Sequence, residues 1–245
     1  GAADANAAAI CAYLQGVQTD IEELAGSAHI REALGAFSAA FDRAGGAALQ
    51  KPYIDDNRFP NGEKDKLDAA ADGSAYSAAH ARYHPWMRSL LRLNGYYDIF
   101  LFDAQGRAVY TVFKERDFAT DARTGPWRDA GVFTLVRDTL ASGAGAKPLL
   151  ADFKPYAPSN DVPAAFVTAP VRDAQGQLVG VIGLQLSIDL INKSMAPMPA
   201  NGQTGEAMII GADGLTRNDS RFSKESTILK RKVDGEAAAA ALAGN

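Results

Sequence analysis

The chain has 245 residues, 47% of them hydrophobic, and a formal net charge of -4 at pH 7. This hydrophobic fraction is enough for a buried core, so a disordered chain is excluded. The acidic balance excludes the basic face that nucleic-acid binding requires, and no apolar run approaches the roughly 20 residues of a membrane-spanning helix.

Helical periodicity dominates the first part of the chain. From residue 5 to residue 44, apolar residues recur at three- and four-residue steps, with a break expected near Gly26. The stripe consists of Ile10, Leu14, Val17, Ile21, Leu24, Ala28, Leu34, Phe37 and Phe41. Such a long amphipathic helix must pack its apolar edge either on the protein's own sheet or on a partner helix.

A polar stretch, residues 50–75, follows a helix end at Gly45 and Gly46. Its Pro and Gly residues predict an ordered loop with one helical turn around Lys64 to Ala71. Ser74 is placed to cap a second helix from Ala75 to Leu93, which Asn94 and Gly95 would end.

From Tyr96 the apolar period becomes that of strands. The tetrapeptide DAQG occurs twice, at 103–106 and at 173–176, each time between apolar runs. Because Asp bonds the following backbone and Gly accepts a positive φ, both copies predict β-hairpins. The predicted order is strands 97–103 and 108–115, a helix at about 129–141, strands 150–156, 163–171 and 178–187, and a short helix at 188–195. This is an α+β fold with a five-stranded antiparallel sheet and helices on one side.

A second, incomplete unit is predicted at the end of the chain. Pro197, Pro199 and Gly202 indicate a linker, and GEAMIIGADGLTRNDSRF then repeats a strand-turn-strand opening before an Ala-rich helix, Gly235 to Ala243. We therefore expect three parts: a helical region at 1–95, a sheet module at 96–200 and the start of a truncated second module at 201–245.

Few residues indicate catalysis or metal binding. His80 and His84 have a spacing that metal sites use, but no nearby Cys or carboxylate completes a ligand set, so ordinary helix packing is expected. Cys11 is the single cysteine and supports no disulfide or redox motif. No phosphate loop, nucleophile elbow or dinucleotide fingerprint is present. We expect no metal, no cofactor and no enzyme, with a hydrolase using Asp117 or Asp121 as a minor alternative.

The long segment between the second strand and the following helix is more informative. It reads FKERDFATDARTGPWRDAGVF and contains Phe118, Arg123, Trp127 and Arg128. Aromatic walls and an Arg fork are how small-ligand pockets are usually built. The alternative is a surface loop whose aromatic residues only cover the core.

Several ordered blocks resemble one family. They are YIDDNRFPNGEKDKLDAAADGSAYSAAHARYHPWMR, YYDIFLFDAQGRAVYTVFKERDFAT, DFKPYAPSNDVPAAFVTAPV, GVIGLQLSIDLIN and GQTGEAMIIGADGLTRNDSRF. Together they resemble the double Cache, PAS-like extracytoplasmic sensor domain of bacterial methyl-accepting chemotaxis receptors. The resemblance implies a long N-terminal helix on a PAS-like sheet, a ligand pocket in the membrane-distal module at 96–200, and a membrane-proximal module beginning at 201.

The resemblance also implies a set of ligand-binding residues. Amino-acid-sensing members place an aromatic residue, an Arg and an aromatic pair in the loop, near Phe118, Arg123 and Trp127 here. Tyr156 matches their third-strand Tyr, whereas Pro158 and Ser159 replace an acidic residue. Gln185 replaces the last-strand Asp that binds the ligand's ammonium. The full predicted set is Phe118, Arg123, Trp127, Tyr156, Phe166, Thr168 and Gln185.

The expected function is therefore a periplasmic small-molecule sensor, membrane-anchored in the intact receptor, that signals through its N-terminal helix and forms a homodimer through that helix. With Arg123 kept and both acidic positions lost, we expect a neutral or carboxylate ligand rather than a standard α-amino acid. The sensor of a histidine kinase or nucleotide cyclase and a structural spacer without a cavity stay open as alternatives.

Overall fold

A computed structural model describes residues 2–143, 145–195 and 205–243 of the chain. The helices are α1 (Ala2–Gly26), α2 (Ala28–Ala44), α3 (Gly46–Gln50), α4 (Ala75–Asn94), α5 (Gly131–Ala141), α6 (Ile188–Ser194) and α7 (Glu236–Leu242). The strands are β1 (Asp98–Asp103), β2 (Ala108–Thr111), β3 (Leu149–Tyr156), β4 (Val162–Arg172) and β5 (Leu178–Gln185). None of the helices in this part of the chain has the length and hydropathy that crossing a bilayer requires.

The predicted breaks and caps of the N-terminal helices are confirmed. The chain breaks at Ser27, whose side chain accepts a hydrogen bond from the backbone N–H of His29 and caps α2. Ser74 caps α4 in the same way, and Gly95 ends α4 with a left-handed φ of 71°. The loop prediction at residue 50 is wrong in part, because helical structure continues through α3 and a π-turn to Asp55. The predicted turn from Lys64 to Ala71 is only a 3-10 turn, Lys64–Lys66.

The sheet is antiparallel throughout, in the order β2-β1-β5-β4-β3. Both DAQG copies form hairpin turns, with Gly106 at φ 90° and Gly176 at φ 79°. Strand β2 is shorter than predicted and ends at Thr111. The chain leaves the sheet there because Lys114 takes a left-handed φ of 55°, which a strand cannot accommodate.

Helices cover both faces of the sheet, which corrects the expectation of helices on one side. Helices α1, α2 and α4 share a core with Ile99, Val167 and Leu184 on one face. Helix α5 packs on the other face, against Phe100 and Phe166. Gly131 allows this close approach, since a Cβ at that position would lie 2.5 Å from the Phe166 ring. Along β1, alternate residues face α5, which points Asp98 and Phe100 toward the same layer.

The C-terminal segment, residues 205–243, rests on the sheet module. The predicted strand pair is reduced to two isolated bridges, Ile210 with Thr216 and Leu215 with Lys232. The nearly buried Arg217 forms ion pairs with Asp213 at 3.0 Å and, on β3, with Asp152 at 2.8 Å. The predicted linker at Pro197, Pro199 and Gly202 lies outside the described residues.

A peptide of residues 202–245 is expected to be unfolded in isolation. The described part of this segment holds only bridges and one seven-residue helix, and its buried Arg217 pairs with β3 of the other module. Such elements are marginal in water without a packed partner. Circular dichroism of the peptide should show no cooperative thermal transition, and a sharp transition would contradict the expectation.

Candidate functional site

Three buried oxygen atoms without hydrogen-bond partners lie on the α5 face of the sheet. They are Asp98 Oδ2, Asp117 Oδ1 and Gln185 Oε1, and none has a donor among the described residues. Their side chains are 1%, 0% and 3% exposed, respectively. Because unsatisfied buried acceptors are costly, we refer to these three residues as the acceptor cluster and treat them as the candidate site.

Strand pairing brings the cluster together. Asp98 on β1 and Gln185 on β5 are direct cross-strand partners, so their side chains share a face. Gln185 also pairs with Phe166 on β4, whose ring centre lies 4.9 Å from that of Tyr156. The Tyr156 hydroxyl donates to Asp117 Oδ2 at 2.6 Å, which holds the loop carboxyl over the strands.

The Asp98 carboxyl is fixed by the backbone. Its Oδ1 accepts hydrogen bonds from the N–H groups of Ile99 at 2.7 Å, Val112 at 2.9 Å and Phe113 at 3.3 Å. These bonds clamp the end of β2 to the start of β1. They leave Oδ2 without a partner in the described part of the chain, and they fix the position of the Asp98 carboxyl.

Burial sets the protonation of both carboxyls. It raises the pKa of Asp117 to about 7, and the hydrogen bond from Tyr156 opposes this only in part. Burial, together with the charges of Asp117 and Glu115, raises the pKa of Asp98 well above its ordinary value. In the described part of the chain neither carboxyl has an ion-pair partner within 4.0 Å. A positive charge beside the cluster would therefore be strongly favoured.

The buried lysine nearest in sequence points elsewhere. The Lys114 ammonium donates to the carbonyl oxygen of Thr111 and lies 4.1 Å from the centre of the Tyr110 ring. Burial lowers the pKa of Lys114 to about 7, an effect that the charges of Asp98 and Asp117 reduce. The positive charge of Lys114 therefore offsets the negative charge of the cluster only at a distance, and the free oxygens of the cluster stay unpaired.

An acidic pocket of about 510 Å³ adjoins the cluster through Gln185. It lies between the ends of β4 and β5, the start of α6 and the C-terminal segment. Its charged lining consists of Asp161, Asp189, Asp219 and Lys230. The excess of carboxylates would concentrate cations in this pocket, next to Gln185.

The structure brings three of the seven predicted site residues, Tyr156, Phe166 and Gln185, to the cluster. Thr168 lies further along β4, where its hydroxyl is 2.7 Å from that of Thr139 on α5. Trp127 is half-buried, and its indole N–H donates to the carbonyl oxygen of Arg116 at 3.0 Å.

The other two predicted residues lie away from the cluster. Phe118 is buried in the opposite layer, with its ring centre 6.1 Å from that of Tyr53 and 6.0 Å from that of Tyr76. Arg123 is exposed, because Asp121 Oδ1 accepts its backbone N–H at 2.6 Å and caps a turn that points outward. That Arg123 supplies the ligand's counter-charge stays a prediction.

Asp98 was missed by the sequence analysis, and Asp117 was considered only as a catalytic group. The alternation of residues along β1 is a signal that could have found Asp98. Phe100 and Phe102 lie on one buried face of this strand, and Asp98, its first residue, lies on the same face, so its carboxyl occupies a core position.

The two helix histidines are buried. His80 Nδ1 lies 2.6 Å from the Asp68 carbonyl oxygen, and His84 Nε2 lies 2.6 Å from that of Asp65. Burial, reinforced by the charge of Lys114, lowers the pKa of both imidazoles. Among the described residues, no group of three or more His, Cys, Asp or Glu could hold a metal ion.

Comparison with known proteins supports the fold. The ligand-binding domain of the Pseudomonas aeruginosa amino-acid chemoreceptor PctC, solved with GABA, has a TM-score of 0.50 and 18% identity over 93% of this chain and 75% of its own. The Pseudomonas fluorescens chemoreceptor CtaA with L-serine gives a TM-score of 0.48 and 19% identity over 93% and 73% of the two chains. The Escherichia coli DcuS sensor domain gives 0.41 and 13% over 75% and 97%. No protein-family model and no curated protein matches.

This likeness to PctC establishes the architecture alone, since the identity is low. The chain shares the PAS-like fold of that ligand-binding domain, with a long N-terminal helix and a five-stranded antiparallel sheet.

Proposed function

We propose that the chain is the extracytoplasmic, small-molecule-binding sensor domain of a bacterial transmembrane chemoreceptor, and that its ligand binds at the acceptor cluster. The observation that carries the proposal is the set of three unpartnered buried oxygens on one face of a Cache-type sheet. Unpaired groups of this kind persist where a ligand satisfies them.

The chemistry of the cluster selects a ligand that carries an ammonium group. Asp98, Asp117 and Gln185 offer free acceptors and no free cation, and the adjoining pocket is acidic. This reverses the ligand charge expected from sequence, because Arg123 is exposed and because two buried carboxyls, Asp98 and Asp117, had been given no ligand-binding role. The amino acids and GABA bound by the chemoreceptors of similar fold also carry an ammonium group.

Signalling would pass through β4 and β5, because alternate residues of these strands lie on the two faces of the sheet. Phe166 and Gln185 face the ligand, whereas Val167 and Leu184, one residue away on the same strands, pack in the core that includes α1. A ligand that favours one placement of β4 and β5 would shift the population of α1 positions. A homodimer formed through α1 remains a prediction.

The test is a thermal-shift and calorimetric titration of the purified domain at pH 8 with γ-aminobutyrate, L-serine, ethanolamine and succinate. We expect at least one amine to stabilise the domain saturably, because a ligand at 100 times its Kd adds about 2.7 kcal/mol. Asp117→Asn should remove the effect, and Asp129→Asn, at an 82% exposed position of the same loop, should retain it. Stabilisation by succinate alone, or an undiminished amine response in Asp117→Asn, would contradict the proposal.

The chemoreceptor role is tested separately. An amine that binds the domain should act as a chemoeffector in cells whose full receptor has Asp117, and the Asp117→Asn receptor should not respond. The alternative is that the native gene joins this domain to a histidine kinase. A ligand that binds normally, changes the phosphorylation of that kinase and causes no chemotactic response would favour this alternative.

A further inference from the structure

A second pocket, of about 430 Å³, adjoins the acidic one and shares Tyr97, Asn160 and Val162 with it. It is formed by the loop that ends at Lys64, the turn after β2 and the 3-10 turn Ala157–Ser159. Its charged lining consists of Lys64, Lys114, Glu115 and Arg116. We infer that this pocket, here called the basic pocket, binds a small organic carboxylate independently of the acceptor cluster.

Lys64 is the principal reason. Its side chain is only 8% exposed, and its ammonium donates to the Ile54 carbonyl oxygen at 2.7 Å. Among the described residues no carboxylate oxygen lies within 4.0 Å of that nitrogen. Asp55 and Glu115 act on it only through longer-range attraction, and burial lowers the pKa of Lys64 despite them. A buried ammonium with one carbonyl partner gains most from an anion at its two free N–H groups.

Arg116 is the second reason to expect carboxylate binding, because backbone carbonyl groups hold its guanidinium in place. Its Nε donates to the Pro158 carbonyl oxygen at 3.2 Å, and its Nη2 donates to the Ala157 carbonyl oxygen at 2.6 Å and to Asn160 Oδ1 at 3.1 Å. The guanidinium also stacks on Trp127, 5.3 Å from the ring centre. No carboxylate pairs with it within 4.0 Å in the described part of the chain. A guanidinium already ordered by carbonyls loses little entropy when its remaining donors bind a carboxylate.

Glu115 is the only carboxylate in the described lining, and its oxygens are already used. Oε1 accepts a hydrogen bond from the Tyr97 hydroxyl at 3.2 Å, and Oε2 accepts one from the Ser159 hydroxyl. Glu115 thus forms part of the wall and reduces the positive charge of the pocket without removing it. Lys114, whose amine faces the Tyr110 ring, adds positive charge at longer range.

Calorimetry with sodium malonate, at an ionic strength matched with sodium chloride, tests the inference. We expect saturable binding to the unmodified domain, weakened at least tenfold in Lys64→Met, which keeps the apolar stem. Lys51→Met removes a lysine whose side chain is 71% exposed on the preceding helical turn and should leave the affinity unchanged. Asp117→Asn, which removes amine binding under the proposed function, should still bind malonate saturably, and this result separates the basic pocket from the ligand site of the proposed function.

Arg116→Gln supplies a second variant in case Lys64→Met does not fold, and it too should weaken malonate at least tenfold. Binding that is no stronger than that of chloride would overturn the inference. So would an equal loss in Lys51→Met, since that result would show a diffuse effect of surface charge.

Discussion

Asp117→Asn is expected to stabilise the folded domain at pH 8 while removing its response to an amine. Asp117 is fully buried, and its pKa rises from 3.8 to about 7 on folding, mainly through burial. About three pKa units correspond to roughly 4 kcal/mol that the ionised carboxyl costs above pH 7. Asn keeps an oxygen for the Tyr156 hydroxyl and carries no charge, so a gain of about 2–4 kcal/mol is expected.

The gain should depend on pH in one direction. Because the folded-state pKa of Asp117 lies above the unfolded value, the folded state binds the proton more tightly. The contribution of Asp117 is greatest below about pH 4 and is lost as the pH rises to about 7. The difference in unfolding free energy between the variant and the unmodified domain should therefore grow from pH 4 to pH 7 and then level off.

Lys114 gives the opposite slope above neutrality. Its folded-state pKa is lowered from 10.5 to about 7, so the unfolded state binds the proton more tightly in this range. Stability from Lys114 therefore rises between about pH 7 and pH 10.5. The combined contribution of these two groups to folding stability is therefore lowest near neutral pH.

Urea unfolding across pH 4–10 measures both effects. Asp129→Asn, an exposed change in the same loop, should stay within about 0.5 kcal/mol of the unmodified domain at every pH. A less stable Asp117→Asn domain at pH 8, or a difference in unfolding free energy that does not vary with pH, would show that burial of the ionised Asp117 carboxyl does not destabilise the fold. Some residues bind ligand at a cost to the folding stability of the domain. Replacing such a residue stabilises the fold and removes binding, which is the combination expected for Asp117→Asn.

Local chemistry explains which parts of the fold could be predicted from sequence. Ser27, Ser74 and Gly95 mark helix ends because their capping bonds join residues within one turn. The DAQG hairpins follow from the bond between Asp103 Oδ1 and the N–H of Gln105, and from its counterpart at Asp173. These interactions need no information from distant residues.

The acceptor cluster depends on distant residues, which is why it was predicted only in part. Gln185 follows from the family resemblance of the last strand, but Asp98 joins it only through the cross-strand register of β1 and β5. Arg123 was placed by its spacing from Phe118, which assumes a regular loop. The chain instead reverses at Ala119, with a φ of 62°, and turns again where Asp121 caps the backbone, so the two side chains diverge.

Ile21→Ala is expected to cost about 2–5 kcal/mol of folding stability, which corresponds to a loss of roughly 5–15 °C in Tm for a domain of this size. Ile21 is fully buried, and helix α1 packs on β4 and β5. The neighbouring Asp20 accepts a hydrogen bond from the Tyr96 hydroxyl, which joins the helix to the start of β1. Gln18→Ala, at an exposed position of the same helix, should change the stability by no more than about 0.5 kcal/mol.

This experiment also decides between the two packing partners that the sequence left open for the N-terminal helix. If α1 packs on its own sheet, the loss should be the same at every protein concentration. Amine affinity in the isolated domain should stay within about twofold, because Ile21 lies on the sheet face opposite the acceptor cluster. A loss below about 1 kcal/mol, or one that grows on dilution, would place the helix against a partner chain instead. Under the proposed function, the signal would then pass through a dimer contact rather than through β4 and β5.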